Sequence, residues 1–519
     1  MDAKNEMQIS STELEKHSTR QDCWVAVHSK VWDLTDFLDE HPGGAKILLS
    51  VAGRNATSEY DQVHAPGIIE ENLSPDKFKG SLLEATSDVA PPGALEEVQD
   101  SRDRNLPADS SEDILPALQS LLSAADIEGV ASKMLSRKTW AFYSSAATDL
   151  VTHHQNKAFL RRIMIQPRVL RDVKNTDQTR SILGHKTSAP FFISPAAMAR
   201  LAHKDGELAL AKAAGEEGII QCISNNASYP LSSIVHSGKP QQPFFFQLYV
   251  NSERHKTTDL LRKARSLGIK AIFVTVDAPV PGKREADERL ATESAVQSAV
   301  SGATSSNDKK GAGIGRLMGQ YIDKSLTWSD LAWIREESGL PIVLKGVQSV
   351  EDAKLAVEYG VDGILLSNHG GRSLDTYVPA FPATICLVGS YLHVPFSSQP
   401  AILNLLQLRL ECPEIFSKLE VYVDGGFERG TDILKAIALG ATAVGIGRPF
   451  LYSLVYGQQG AEHLIQILKD EIEVSMKLCG LTSLDQAGPE LLNTADVDHL
   501  IRSAQRFPAL LGLQHKARL

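Results

Sequence analysis

Eight short apolar runs recur along the chain from about residue 114 onward. They are residues 191–194, 219–224, 244–249, 271–277, 341–346, 363–368, 419–424 and 442–447. Each has the length of a buried strand, and several are rich in Phe, Ile and Val, which suit a covered, pleated surface. The intervals 205–217, 257–267, 349–358 and 431–439 carry a helical pattern, with apolar residues grouped on one face. Strands alternating with helices predict βαβ units and a parallel sheet. Eight such units predict an α/β fold of the closed (β/α)8 TIM barrel type. An open doubly wound sheet is the alternative, but no Gly-x-Gly-x-x-Gly follows the first run to mark its phosphate-binding turn.

Ahead of the barrel, residues 8–85 alternate apolar and polar positions between frequent turns and read as a separate compact domain. Residues 86–113 are acidic, carry Ala90-Pro91-Pro92-Gly93 and lack aromatics, the composition of a solvated linker. The barrel domain then runs over 114–519. Within it, residues 377–398 form a 22-residue stretch with no Asp, Glu, Lys or Arg, which is odd for an exposed loop.

Composition narrows the function classes. The chain is 43% apolar and 22% charged, with a net charge of -10, as expected of a globular protein. It offers no basic stripe for nucleic acid and is compatible with a cationic redox partner. Cys23, Cys222, Cys386, Cys412 and Cys479 are scattered, with no Cys-x-x-Cys pair, so a reduced compartment is expected and a cysteine metal site is not. Residues 1–10 show no presequence, and no apolar run is long enough to span a membrane. The final Ala517-Arg518-Leu519 resembles a peroxisomal import tripeptide. Cytoplasm or peroxisome is the expected location.

In the N-terminal domain, His41-Pro42-Gly43-Gly44 is followed 23 residues after His41 by His64. Two neutral imidazoles on separate elements suit the two faces of a haem, and the glycines let backbone approach the macrocycle. Iron held by two nitrogens has no open position and moves single electrons. These residues, with Trp24-Val25-Ala26-Val27 and Val31-Trp32-Asp33-Leu34-Thr35, resemble a cytochrome b5 domain. The resemblance implies an α+β domain that holds haem b with His41 and His64 as its iron ligands.

In a barrel of this type, chemistry sits at the C-terminal strand ends. Those ends carry Ser194, Pro195, Ala196 and Ala197, then Ser224, Gln247, Tyr249, Thr275, Asp277, Lys345, His369, Arg372, Asp424, Gly426, Gly447 and Arg448. Glycines and Arg448 after the last two strands suit a phosphate. Arg372 and Arg284 present planar forks that suit a carboxylate. His369 titrates near neutrality and suits proton abstraction, with Asp277 fixing its tautomer.

The runs Thr275-Val276-Asp277-Ala278-Pro279, Pro341-Ile342-Val343-Leu344-Lys345-Gly346, Leu366-Ser367-Asn368-His369-Gly370-Gly371-Arg372 and Val423-Asp424-Gly425-Gly426 resemble the FMN-dependent 2-hydroxy acid dehydrogenase and oxidase family. With the haem domain, the chain resembles the lactate–cytochrome c oxidoreductases of that family. The resemblance implies FMN and oxidation of a small L-2-hydroxy acid, with electrons leaving through the haem to an acceptor such as cytochrome c. It makes His369 the base with Asp277 as partner, Arg372, Arg284 and Tyr249 the carboxylate site, and Lys345 the cation beside the flavin. Ser194, Pro195, Ala196, Ala197, Ser224, Gln247 and Thr275 become flavin contacts, and Asp424, Gly426, Gly447 and Arg448 join the cofactor site, the last three at its phosphate end. A homotetramer and, as an alternative compartment, the mitochondrial intermembrane space are also implied. The alternatives are an oxidase that uses oxygen and an impaired electron-carrier protein.

Three positions depart from the family pattern. Phe142 stands where a tyrosine usually reaches the substrate carboxylate, and Glu428 where an arginine usually supports the phosphate. A carboxylate there repels a phosphate unless Glu428 points away and Arg429 or Arg448 compensates. The third departure is the 377–398 stretch, which the family lacks. Its Thr376-Tyr377-Val378 start is compatible with a splice-donor codon run, so a retained intron is expected. A real lid or membrane-touching loop is the alternative, and the mature transcript decides between them. The loop between Pro279 and Ser325 reads as a mobile cover on the site.

Overall fold

The computed structural model describes residues 7–38, 40–41, 45–57, 60, 69, 73–83, 115–292, 295–308, 313–375 and 399–501. His64, Pro42-Gly43-Gly44, residues 86–113, residues 377–398 and Ala517-Arg518-Leu519 lie outside the described residues. The chain divides into two compact units, Met1–Ser110 and Ser111–Leu519.

The first unit is built on a five-stranded sheet in the order Gln8–Ile9, Phe78–Leu82, Lys30–Asp33, Asp22–Val27, Ser18–Thr19. Alternation along Asp22–Val27 divides its side chains between two faces. Cys23, Val25 and Val27 join Trp32, Leu34 and Leu38 in one apolar cluster. Ala26 joins Ile9, Leu14 and Val31 in the other. His41 ends a turn in which its backbone N–H donates to the Phe37 carbonyl at 3.0 Å.

The second unit is a closed barrel of eight parallel strands: Phe191–Ile193, Gln221–Ile223, Phe244–Leu248, Ala271–Thr275, Ile342–Val347, Gly363–Leu366, Glu420–Asp424 and Ala443–Ile446. All eight coincide with the apolar runs, and Gly206–Glu217, Arg254–Ser266, Val350–Glu358 and Gly430–Ala438 supply the four expected helices. Boundaries shift where hydrogen bonding requires it. The fifth strand opens at Ile342 because Pro341 has no N–H for the ladder.

Why the chemistry gathers at one end follows from the period of two. Phe192, Cys222, Phe245, Phe273, Val343, Leu365 and Tyr422 point inward and form an aromatic-rich plug, with Phe245 and Phe273 rings 5.3 Å apart. Two residues further along each strand stand Ser194, Ser224, Gln247, Thr275, Lys345, Ser367 and Asp424. The same inward face therefore turns polar as the strands reach the barrel mouth. The alternate residues, among them Phe191, Ile193, Phe244 and Phe246, pack outward against the helices.

The loop after the fourth strand is tied down rather than loose, over the parts described. Ser301 Oγ donates to Asn226 Oδ1 at 2.6 Å, and Ser298 Oγ to the Ala227 carbonyl at 3.1 Å. The short helix Ile314–Met318 is anchored by Gly315 N–H donating to the buried Asp287 carboxylate at 2.9 Å. Among the described residues, no helix is long and apolar enough to cross a membrane, and no group of three His, Cys, Asp or Glu side chains could hold a metal ion.

Candidate active site

His369 sits on a tight turn after the sixth strand, with its own backbone at φ +58°. A left-handed residue other than glycine is costly and persists where the surroundings fix it. Here its N–H donates to Ser367 Oγ at 3.0 Å. The imidazole is held at both ends: Nδ1 lies 2.8 Å from Asp277 Oδ1, and Nε2 lies 3.3 Å from the Tyr249 hydroxyl. The carboxylate accepts, so Nδ1 carries the proton and Nε2 keeps its lone pair toward the cavity. Asp277 reaches this place because the neighbouring strand bulges at Gly346. A Cβ there would sit 2.5 Å from Asp277 Cβ, at a φ of +109°.

Lys345 extends from the fifth strand beneath this pair. Its Nζ donates to Ser367 Oγ at 3.2 Å and lies 3.7 Å from Asp424 and 3.9 Å from Asp277 carboxylate oxygens. Burial works to raise the Asp277 carboxyl, but the charges of His369 and Lys345 hold it below its ordinary value. Burial works to lower Lys345, and the two carboxylates raise it. Both groups are therefore ionised at neutral pH. His369 is pushed below its ordinary value of 6.5 by burial, against the pull of Asp277.

A pH dependence follows. An imidazole accepts a proton only in its neutral form, so a rate that depends on His369 as base rises with pH through its pKa and is flat above it. The lowered value puts the acidic limb below pH 6.5. Asp277→Asn removes the main contribution that raises this pKa, so the limb moves to still lower pH while the plateau rate falls. A pH profile of the turnover rate checks both, and a limb moving upward in the variant would contradict the pairing.

Three guanidiniums approach the same cavity. Arg372 donates to the backbone carbonyls of Phe142, at 3.2 Å, and Tyr143. These lie in the last turn of helix Arg137–Ser144, whose carbonyls carry partial negative charge. The Phe142 ring centroid lies 5.9 Å from the Arg372 guanidinium carbon. Phe142 therefore keeps an aromatic surface against the arginine but brings no hydroxyl. Arg284 packs on Gly315, where a Cβ would meet Nη1 at 2.6 Å. Arg448 reaches the Gly370 carbonyl at 2.8 Å and His153 Nδ1 at 2.9 Å. All three arginines are pulled below their ordinary value by burial, and for Arg372 the other two guanidiniums add to it. Such a cluster favours an anion.

The remaining expected residues share that cavity. Ser194, Pro195, Ala196, Ala197, Ser224, Gln247, Thr275, Asp424, Gly426 and Gly447 line it together with Arg284, Arg372, Arg448, Lys345, Tyr249 and His369, and Asp277 stands behind His369. Gln247 is locked by donating to Thr275 Oγ1 at 3.0 Å and accepting from Asn225 N–H at 3.1 Å. Several buried polar atoms at the cavity have no hydrogen-bond partner: Ser194 Oγ, Asp424 Oδ1, Arg284 Nε and Arg448 Nε. Buried polar atoms are ordinarily paired, so this set fits a polar cofactor with a phosphate and an acidic substrate.

Four further residues at the site carried no recognisable sequence signal. Helix Val151–Arg162 sets His153, Asn156 and Lys157 on one face, at i, i+3 and i+4. Asn156 and Asn368 exchange side-chain hydrogen bonds at 2.9 and 2.8 Å. Lys157 pairs with Glu428 at 2.5 Å. Asn226 lines the cavity after the second strand. The cation expected to compensate Glu428 is not Arg429, which turns outward to Glu471 at 2.8 Å.

The FMN-dependent dehydrogenase family profile matches residues 131–494, and that of the cytochrome b5-like heme/steroid binding domain matches residues 10–83. Over 494 residues the chain is 38% identical to L-lactate dehydrogenase (cytochrome) of Wickerhamomyces anomalus, spanning 95% of this chain and 81% of that protein. It is 38% identical over 496 residues to the L-lactate dehydrogenase (cytochrome) of Saccharomyces cerevisiae, at 94% and 80% coverage. A solved structure of a flavocytochrome b2 mutant with benzoylformate matches with a TM-score of 0.64 and 39% identity, covering 75% of this chain and 91% of that one.

Proposed function

The chain belongs to the FMN-dependent dehydrogenase family, with a cytochrome b5-like domain ahead of its barrel, and from that premise we propose that it oxidises an L-2-hydroxy acid of the lactate class to the 2-oxo acid. The observation that carries this reading is the juxtaposition of a His–Asp pair with buried guanidiniums in one cavity. FMN, when bound, supplies the two-electron acceptor, and haem b the single-electron carrier.

Each residue then has a stated task. Arg372 and Arg284 take the substrate carboxylate through planar N–H groups. That contact sets the hydroxyl-bearing carbon against His369 Nε2, which accepts its proton. Asp277 stabilises the imidazolium that results, as in other His–Asp pairs. The Tyr249 hydroxyl, pushed up by burial and by Asp277, stays protonated and donates a hydrogen bond. Lys345 supplies a fixed positive charge beneath the cofactor site. Ser194, Pro195, Ala196, Ala197, Ser224, Gln247 and Thr275 line the flavin side, and Asp424, Gly426, Gly447 and Arg448 its far end. In the haem domain, His41 and His64 are the iron ligands of this reading. The acceptor is cytochrome c, and the working form is a homotetramer.

The substrate and acceptor are tested together. L-lactate and larger L-2-hydroxy acids are supplied to the purified protein with cytochrome c in air. The expected result is cytochrome c reduction that outpaces oxygen uptake for at least one acid. Oxygen uptake without cytochrome c reduction would instead make the protein an oxidase.

A further inference from the structure

The far end of the cavity carries an ion pair that the reading above leaves unused. Lys157 and Glu428 both line the cavity beside Gly426, Gly447 and Arg448. Lys157 Nζ lies 2.5 Å from Glu428 Oε1 and 3.4 Å from Glu128 Oε2. Its side chain is 27% exposed and that of Glu428 19%, so solvent screens this pair only in part.

Lys157 is well fixed in place. One residue before it, Asn156 is locked to Asn368. The Asn156 backbone also abuts Gly426, where a Cβ would come within 2.7 Å of the Asn156 carbonyl carbon. The helix therefore cannot withdraw from the loop after the seventh strand without opening that packing. The ammonium and the glycine backbone stay on the same side of the cavity.

We infer that Lys157 is the cation with which this chain receives the flavin phosphate, and that Glu428 competes with the phosphate for it, so that the pair sets how firmly the cofactor is kept. The inference rests on the FMN reading of the cavity. A phosphate is a better partner for the ammonium than one carboxylate, because it brings up to two charges and three oxygens. Glu428 remains close by and repels it. Burial pushes the Glu428 carboxyl up, against the effect of Lys157, as expected of an acid in a poor place for its charge. Arg429 turns outward to Glu471, and Arg448 is engaged by His153 and the Gly370 carbonyl, whereas the nearest partner of Lys157 is Glu428, a carboxylate that a phosphate can replace.

The test uses the full chain, stripped of flavin and titrated with FMN and with riboflavin, which lacks the phosphate. Flavin fluorescence reads both dissociation constants. Glu428→Gln is expected to tighten FMN binding by about tenfold or more, the scale of one charge-assisted contact. Lys157→Met is expected to weaken it by about as much, and Lys157→Arg to restore most of the loss. Riboflavin affinity should change by less than about twofold in each. An unchanged FMN constant in Glu428→Gln, or riboflavin constants that move in parallel with FMN, would overturn the inference. Failure of the unaltered chain to bind either flavin would instead overturn the FMN reading itself.

Discussion

His369→Gln is expected to lower kcat/KM for the hydroxy acid by about 10³–10⁴ or more while FMN stays bound. A positioned general base contributes about 10²–10⁴, and this one also leaves a positive charge that Asp277 stabilises at 2.8 Å. Glutamine is near in size and can still accept from Tyr249, but it cannot take a proton. It also leaves the buried Asp277 carboxylate facing an uncharged amide. Anaerobic flavin reduction measures the loss directly, with flavin content read from the same absorbance. A variant within tenfold of the original would remove His369 from the proton-accepting role.

Arg372→Lys is the second large effect, expected at about 10²–10³ in kcat/KM. Each hydrogen bond to a charged group contributes about 1.5–3 kcal/mol, and a guanidinium makes two in parallel where lysine makes one. Geometry sharpens the loss. Arg372 is oriented by the carbonyls of Phe142 and Tyr143, and an ammonium cannot hold both carbonyls and still reach a carboxylate. The effect should belong to the acid alone. Against the hydroxy amide, which lacks the charge, original and variant should differ by less than about threefold. An equal loss on acid and amide would place the residue in general support of the cavity instead.

How far the sequence carried this picture differs between strands, loops and helices. The eight barrel strands were legible because burial on both faces makes parallel strands continuous apolar runs. Their polar ends were legible for the same reason: Gln247, Thr275 and Lys345 break runs such as Phe244-Phe245-Phe246 and Ile342-Val343-Leu344. The partnership of His369 with Asp277, 92 positions apart, came from family resemblance and from strand order, not from local pattern.

Helix Val151–Arg162 was not legible. Its buried residues are Thr152, Asn156, Phe159 and Leu160; only the last two are apolar and join the core, while the earlier turns border the polar cavity, so apolar periodicity had little to register. The partner of Glu428 was missed for that reason. Tethering of the 296–305 segment was missed because serine-to-carbonyl hydrogen bonds leave no compositional mark.

The central claim is that one chain takes two electrons from a hydroxy acid and releases them singly through its own haem. Rapid mixing of the FMN- and haem-loaded protein with L-lactate, without oxygen, follows flavin and haem absorbance in a single turnover. The account predicts flavin bleaching first, then haem reduction in the same molecules, with both abolished in His369→Gln. Flavin that bleaches while the haem stays oxidised, or a fully loaded protein that responds to no L-2-hydroxy acid, would contradict it.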